Sequence, residues 1–133
     1  MNQLEVFTKV RDHLLKQNEA SLSNERADGV NFVCMYRGQN GMKCAIGCLI
    51  PDDQYVKGME RRDIGYLLSN YPKFLSIFDG TLNDWEPYRR AQKPDQVTQL
   101  IPFLDGLQRI HDDHEPSQWA RLLSNFQSDW GLI

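Results

Sequence analysis

A chain of 133 residues, 41% hydrophobic and 25% charged, suits a single folded domain, and 3 Trp, 5 Tyr and 6 Phe supply a core that needs no disulfide staples. The net charge of −3 argues against broad, sequence-independent binding to nucleic acid, which relies on a basic surface. No basic segment leads into an apolar stretch at the N-terminus, no apolar run approaches the ~20 residues that span a bilayer, and the cysteines are odd in number, so a cytoplasmic chain with reduced thiols and no membrane attachment is expected.

Leu4, Phe7, Val10, Leu14 and Leu15 recur at helical spacing with Glu5, Lys9, Asp12 and Lys16 opposite, which predicts an amphipathic helix from Asn2 to about Gln17. The polar run 18–30 reads as a loop, with a helical extension through Leu22 as the alternative. Phe32, Val33 and Tyr36 favour strand, and Gly38 and Gly41 bracket a polar turn of the kind that closes a β-hairpin. Two short strands are marginal alone, so they must lie against helices. Cys44 to Ile50 is apolar and small, and Pro51 stops a helix ahead of it, so one or two helical turns are expected there. Asp52 or Asp53 is placed to cap the next element.

Ile64, Leu67, Leu68 and Tyr71 mark a short helix begun by Asp63. Pro72 ends it and opens the next helix, which Asp79-Gly80 closes. Residues 81–94 read as a loop, with Trp85 and Tyr88 pinned to the body. Val97, Leu100, Ile101, Leu104, Leu107 and Ile110 form a strong helical stripe with Pro102 inside it, so the helix either kinks or divides in two. Pro116 opens a last helix carrying Trp119, Leu122, Leu123, Phe126 and Trp130, with Gly131 at its end. The sum is a mainly α domain of five or six helices with one small β-hairpin, and no composition shift marks a boundary within residues 1–133.

Cys44 and Cys48 share a face if helical and could ligate zinc with Cys34 and a histidine. The Cys-x9-Cys-x3-Cys spacing is not that of a zinc knuckle, and reduced cysteines pack as small hydrophobes, so core packing is expected, with neither metal nor cofactor. A cysteine nucleophile needs a histidine base, and His13, His111 and His114 belong to no local signature, so no catalytic residue is assigned. The run His111 to Glu115 reads as a polar helix terminus rather than a two-His, carboxylate metal site. The pairs Arg61-Arg62 and Arg89-Arg90 read as solvated surface.

Tyr, Trp and Arg dominate protein interfaces, and the same residues stack on bases and clamp phosphates. The expected contact face is therefore the hairpin tip with the 81–90 loop: Tyr36, Arg37, Gln39, Asn40, Trp85, Tyr88, Arg89 and Arg90.

Three stretches carry a resemblance: Tyr36-Arg37-Gly38, then Lys43 to Asp52 (KCAIGCLIPD), then Leu107 to Asp112 (LQRIHD). In these the chain resembles a group of small phage and prophage proteins, over residues 30–130. The resemblance implies an intracellular protein of a mobile element or its host, acting by binding host factors, defence systems among them. The expected function is a non-enzymatic binding protein that modulates or inhibits a host protein complex. The alternatives are a small-nucleotide binder or sponge, and a cysteine-dependent enzyme or metal-binding protein. Apolar helix faces leave homo-oligomerisation open.

Overall fold

The computed structural model describes residues 1–22, 34–84 and 96–132. Helix α1 spans Gln3–Gln17, opened by a capping box in which Asn2 accepts from the Glu5 amide at 2.8 Å and the Glu5 carboxylate accepts from the Asn2 amide at 2.9 Å. It buries Val6, Phe7, Val10 and Leu14. Leu4 and Leu15 of the expected stripe stay at the surface. Asn18 turns left-handed, φ 52°, and ends the helix, so no extension reaches Leu22, which instead forms an isolated antiparallel bridge with Cys34.

Among the described residues the expected β-hairpin is not formed. Among the described residues the chain reverses through a 3-10 turn, Gln39–Gly41, flanked by one isolated bridge between Arg37 and Lys43. The reason lies in where the backbone donors go. The amides of Tyr36 and Arg37 donate to the Glu60 carboxylate at 2.9 and 3.0 Å. The amide and carbonyl of Lys43 pair with the side chains of Gln17 and His13. Side chains from elsewhere thus satisfy the groups that a second strand would have used.

A 3-10 turn at Gly47–Leu49 stands where one or two helical turns were expected. Helix α2, Ile64–Asn70, begins at Asp63, whose carboxylate accepts from the Tyr66 amide at 2.7 Å. Helix α3, Pro72–Ser76, comes next with Pro72 in its first turn. Residues 79–84 then form a further helix, α4, Asp79–Asp84, instead of a stop and a loop. Gly80 is used there for close approach: a Cβ on it would lie 2.9 Å from the backbone of Asn2 and of Met1. Thr81 donates to the Met1 carbonyl through its amide at 2.7 Å and its hydroxyl at 2.8 Å, so the first residues of the chain dock on this helix.

Helix α5, Gln96–Asp113, continues through Pro102 as one element, since proline removes a single backbone bond. Helix α6 spans Pro116–Asp129. Helix α5 is central and touches α1, α2, α4 and α6. Its Phe103 meets Phe126 at 5.5 Å and Trp130 at 5.0 Å between ring centroids, and Phe7 of α1 stacks on Phe126 at 6.0 Å. Burying each such ring contributes about 1.5–3 kcal/mol, so this aromatic stack binds the two ends of the chain together. No helix among the described residues is long and apolar enough to cross a membrane.

Candidate functional site

Residues 36–38, 43–52 and 107–112 meet in space, and Arg37 joins the first two. Its guanidinium donates to the carbonyl of Gly47, to that of Ile50 at 2.7 Å and to the Asp52 carboxylate at 3.0 Å. It also lies 5.1 Å over the Tyr55 ring. The fork geometry of arginine suits this role: the Gly47 carbonyl, which also accepts from the Ile50 amide at 3.2 Å, and the Ile50 carbonyl just past the turn are both reached by one planar guanidinium. Tyr36 is buried and donates its hydroxyl to the Arg62 carbonyl at 2.5 Å. Glu60 completes the hub by accepting from the Tyr55 hydroxyl at 2.6 Å besides the two amides.

Gly38 and Gly47 are required by close approach. A Cβ at Gly38 would lie 2.5 Å from Ser21 Oγ, and one at Gly47 would overlap the Tyr36 carbonyl. The third stretch reaches the same body through Gln108, whose Oε1 accepts from the Ile46 amide at 2.9 Å and whose Nε2 donates to Asp112 at 2.9 Å.

The three cysteines and His111 are engaged in this framework. Cys44 Sγ accepts from the Gly47 amide at 3.2 Å, and Cys48 donates to the Ala45 carbonyl at 3.0 Å. Burial, opposed only in part by the Gly47 amide for Cys44 and by Lys9, Lys43 and Arg37 for Cys48, pushes both thiols up to about 12. Burial and the hydrogen-bonded Asp112 carboxylate raise Cys34 to about 12 as well.

Among the described residues, Cys34, His111 and Asp112 bring ligand atoms within 4.8 Å of one another. His111 Nε2 accepts from the Ser21 amide at 2.8 Å, so the ring proton sits on Nδ1, which donates to Asp112 at 2.7 Å. Both nitrogens are engaged within the fold, so a metal would have to displace the Ser21 amide from Nε2 to reach a lone pair. The trio works as a hydrogen-bond network, and His111 is further fixed by stacking on Trp119 at 5.4 Å.

Of the expected contact residues, Tyr36 and Arg37 are thus built into the fold, with the Arg37 side chain only 16% exposed. Gln39 is partly exposed and Asn40 exposed at the tip of the turn, where Asn40 is left-handed at φ 57°. Trp85, Tyr88, Arg89 and Arg90 lie outside the described residues. Sequence reasoning missed Glu60 and Gln108, which no local pattern distinguishes from solvated surface.

Two clefts open beside the hub. One, of ≈ 250 Å³, lies between Cys34–Tyr36 and Glu60–Ile64, with Gln108 and Asp112 behind it. A second, of ≈ 330 Å³, lies between α1 and the 43–52 segment and is lined by Lys9, His13, Lys43, Cys48 and Asp52. An apolar groove of ≈ 440 Å³ runs along Met59, Tyr71, Pro72 and Phe74. No family model matches the chain, and no curated protein and no solved structure matches it.

Proposed function

We propose that the chain acts by binding rather than catalysis, as a phage-type modulator or inhibitor of a host protein complex in the bacterial cytoplasm. The observation that carries this reading is the disposition of the reactive groups. All three thiols are held protonated, and both nitrogens of His111 are engaged within the fold. The shared stretches build a scaffold in which Arg37, Glu60 and Gln108 each hold backbone groups of other segments.

That scaffold presents a stiff turn. Gln39 and Asn40 sit at its tip, and its base is locked by the Gly38 amide donating to the Met42 carbonyl at 2.8 Å and by the Gln39 amide donating to the Leu22 carbonyl at 3.0 Å. A contact surface held rigid before binding loses little conformational entropy on association. Val56, 47% exposed, and the apolar groove of Met59, Tyr71, Pro72 and Phe74 add unpaired apolar surface for a partner.

The test is expression in a bacterial host whose defence restricts an infecting phage. The expected result is relief of the restriction, together with co-purification of a stoichiometric host protein. The double variant Gln39→Ala, Asn40→Gly, in which glycine accepts the left-handed backbone of position 40, is expected to lose both effects with its melting temperature unchanged. Relief that persists in this variant would remove the turn from the contact face. Turnover of a host metabolite by the purified chain would overturn the reading itself.

A further inference from the structure

We propose that the cleft between α1 and the 43–52 segment is a binding site for a small phosphate-bearing anion. Its volume of ≈ 330 Å³ falls in the range of small-molecule sites. Its lining carries two lysines, Lys9 and Lys43, and Arg37 borders it through Asp52, in a protein of net charge −3. A single carboxylate answers them. Asp52 Oδ1 takes Arg37 at 3.0 Å and Lys43 at 3.3 Å, and these two cations hold the Asp52 carboxyl below its usual range. Lys9 forms no ion pair with any described residue. A surplus of positive charge therefore remains in a concave site, where focusing makes it act on an anion.

His13 supplies the group that would report occupancy. Its Nε2 lies 2.8 Å from the Lys43 carbonyl, an oxygen that only accepts, so Nε2 carries the proton and Nδ1 is the nitrogen free to take up a second one. Burial disfavours that second proton, and Lys43, His111 and Arg37 oppose it as well, while the Lys43 carbonyl favours it. Lys9 and Asp52 line the same cleft. A phosphate dianion seated among Lys9, Lys43 and His13 reverses the sign of the local field and draws the proton onto Nδ1. Binding and protonation of His13 are then linked, each strengthening the other.

Asp52 acts in this site as a built-in competitor. It holds Lys43, one of the cations that an anion would use, and its side chain is 82% exposed, so it is free to be displaced. The proposal is independent of any protein partner and stands or falls on its own.

The test is a titration of the full chain, monitored by amide and imidazole nuclear magnetic resonance, with inorganic phosphate, adenosine monophosphate and adenosine as three separate probes at low ionic strength. The first two are expected to shift the amides of Lys43 and Cys48 saturably and to raise the titration midpoint of His13. Adenosine is expected to do neither. Lys9→Ala and Lys43→Ala should each weaken binding about fivefold, the effect of one unit charge at about 4 Å in a water-exposed site. Asp52→Asn should tighten it by a similar factor. A monophosphate that binds more tightly than phosphate identifies a nucleotide as the source, and equal affinities identify the free anion. Shifts that never saturate and spread over the surface lysines, an unmoved His13, or weaker binding in Asp52→Asn would each overturn the proposal. Lys9 and Asp52 are exposed or partly so, so their variants keep the fold, and unchanged thermal melts verify it.

Discussion

Gly47 lies so close to Tyr36 that a Cβ on it would overlap the Tyr36 carbonyl oxygen and come 2.8 Å from the carbonyl carbon. The contact is backbone against backbone and has no side chain that can yield. Gly47→Ala should therefore destabilise by about 3 kcal/mol, the upper end for overpacking. Gly41 is the control: it has φ +74° and nothing within 4 Å of its added Cβ, so Gly41→Ala should cost only about 1 kcal/mol. Urea unfolding midpoints of the two variants measure the difference, and equal losses would mean that the Tyr36 contact is not what demands glycine.

Glu60 accepts from three donors contributed by two segments, the Tyr36 and Arg37 amides and the Tyr55 hydroxyl. A glutamine keeps one acceptor oxygen and replaces the other with a donor. Glu60→Gln should cost about 2 kcal/mol, because a part-buried donor is left without an acceptor. For a chain of this size that is a fall of roughly 6–8 °C in melting temperature. Tyr55→Phe, which removes one donor and leaves the carboxylate in place, should cost about half as much. Calorimetry of the two variants separates the network from a general surface effect.

The thiols should be inert in the native state. With Cys34, Cys44 and Cys48 raised from 9.0 to about 12, the thiolate fraction at pH 8 is about 10³-fold below that of a free cysteine. Labelling by a thiol-specific disulfide reagent should then track the rate of unfolding and rise steeply in denaturant. One thiol that labels within seconds in the native protein would revive the cysteine-dependent reading. The same shifts carry a pH consequence. The folded state holds these protons while the unfolded state releases them, so stability is complete below pH 9.0 and falls as pH rises toward 12.

His13 titrates in the opposite sense. Its pKa is lowered from 6.5 by burial, with Lys43, His111 and Arg37 adding to the effect. The unfolded chain takes up the proton first as pH falls, so the stabilisation is complete above pH 6.5 and is lost as pH drops through the lower folded-state value. His13→Gln keeps an amide donor for the Lys43 carbonyl and removes the titration. The difference between wild-type and variant urea midpoints, measured from neutral to mildly acidic pH, should narrow as pH falls. A difference that stays constant with pH would show that His13 does not titrate with folding.

Helix starts and buried faces were legible because their causes are local. Asn2 and Asp63 cap the helices after them, Pro72 and Pro116 open theirs, and the periodic apolar positions of α5 and α6 are the ones that reach the core. The cysteine segment was also readable as core, since small apolar residues around Gly47 leave room only for close packing. Asp79-Gly80 misled because glycine after an acid reads as a helix stop, whereas this glycine admits the backbone of Met1 and Asn2.

By itself the sequence determined five of the helices, α1, α2, α3, α5 and α6, and which side chains are apolar enough to be buried, because capping, proline geometry and hydrophobic spacing act within one or two turns of the chain. Only the tertiary structure decided that the Tyr36–Lys43 reversal is not a hairpin, that Arg37 serves as a bracket, and that Lys9, His13 and Lys43 face one cleft. Those outcomes depend on how backbone donors and acceptors are satisfied across 24 residues from Tyr36 to Glu60, 62 from Ile46 to Gln108 and 90 from Ser21 to His111. A polar side chain that completes a distant backbone bond has the same local pattern as one that faces water, and the packed fold alone distinguishes them.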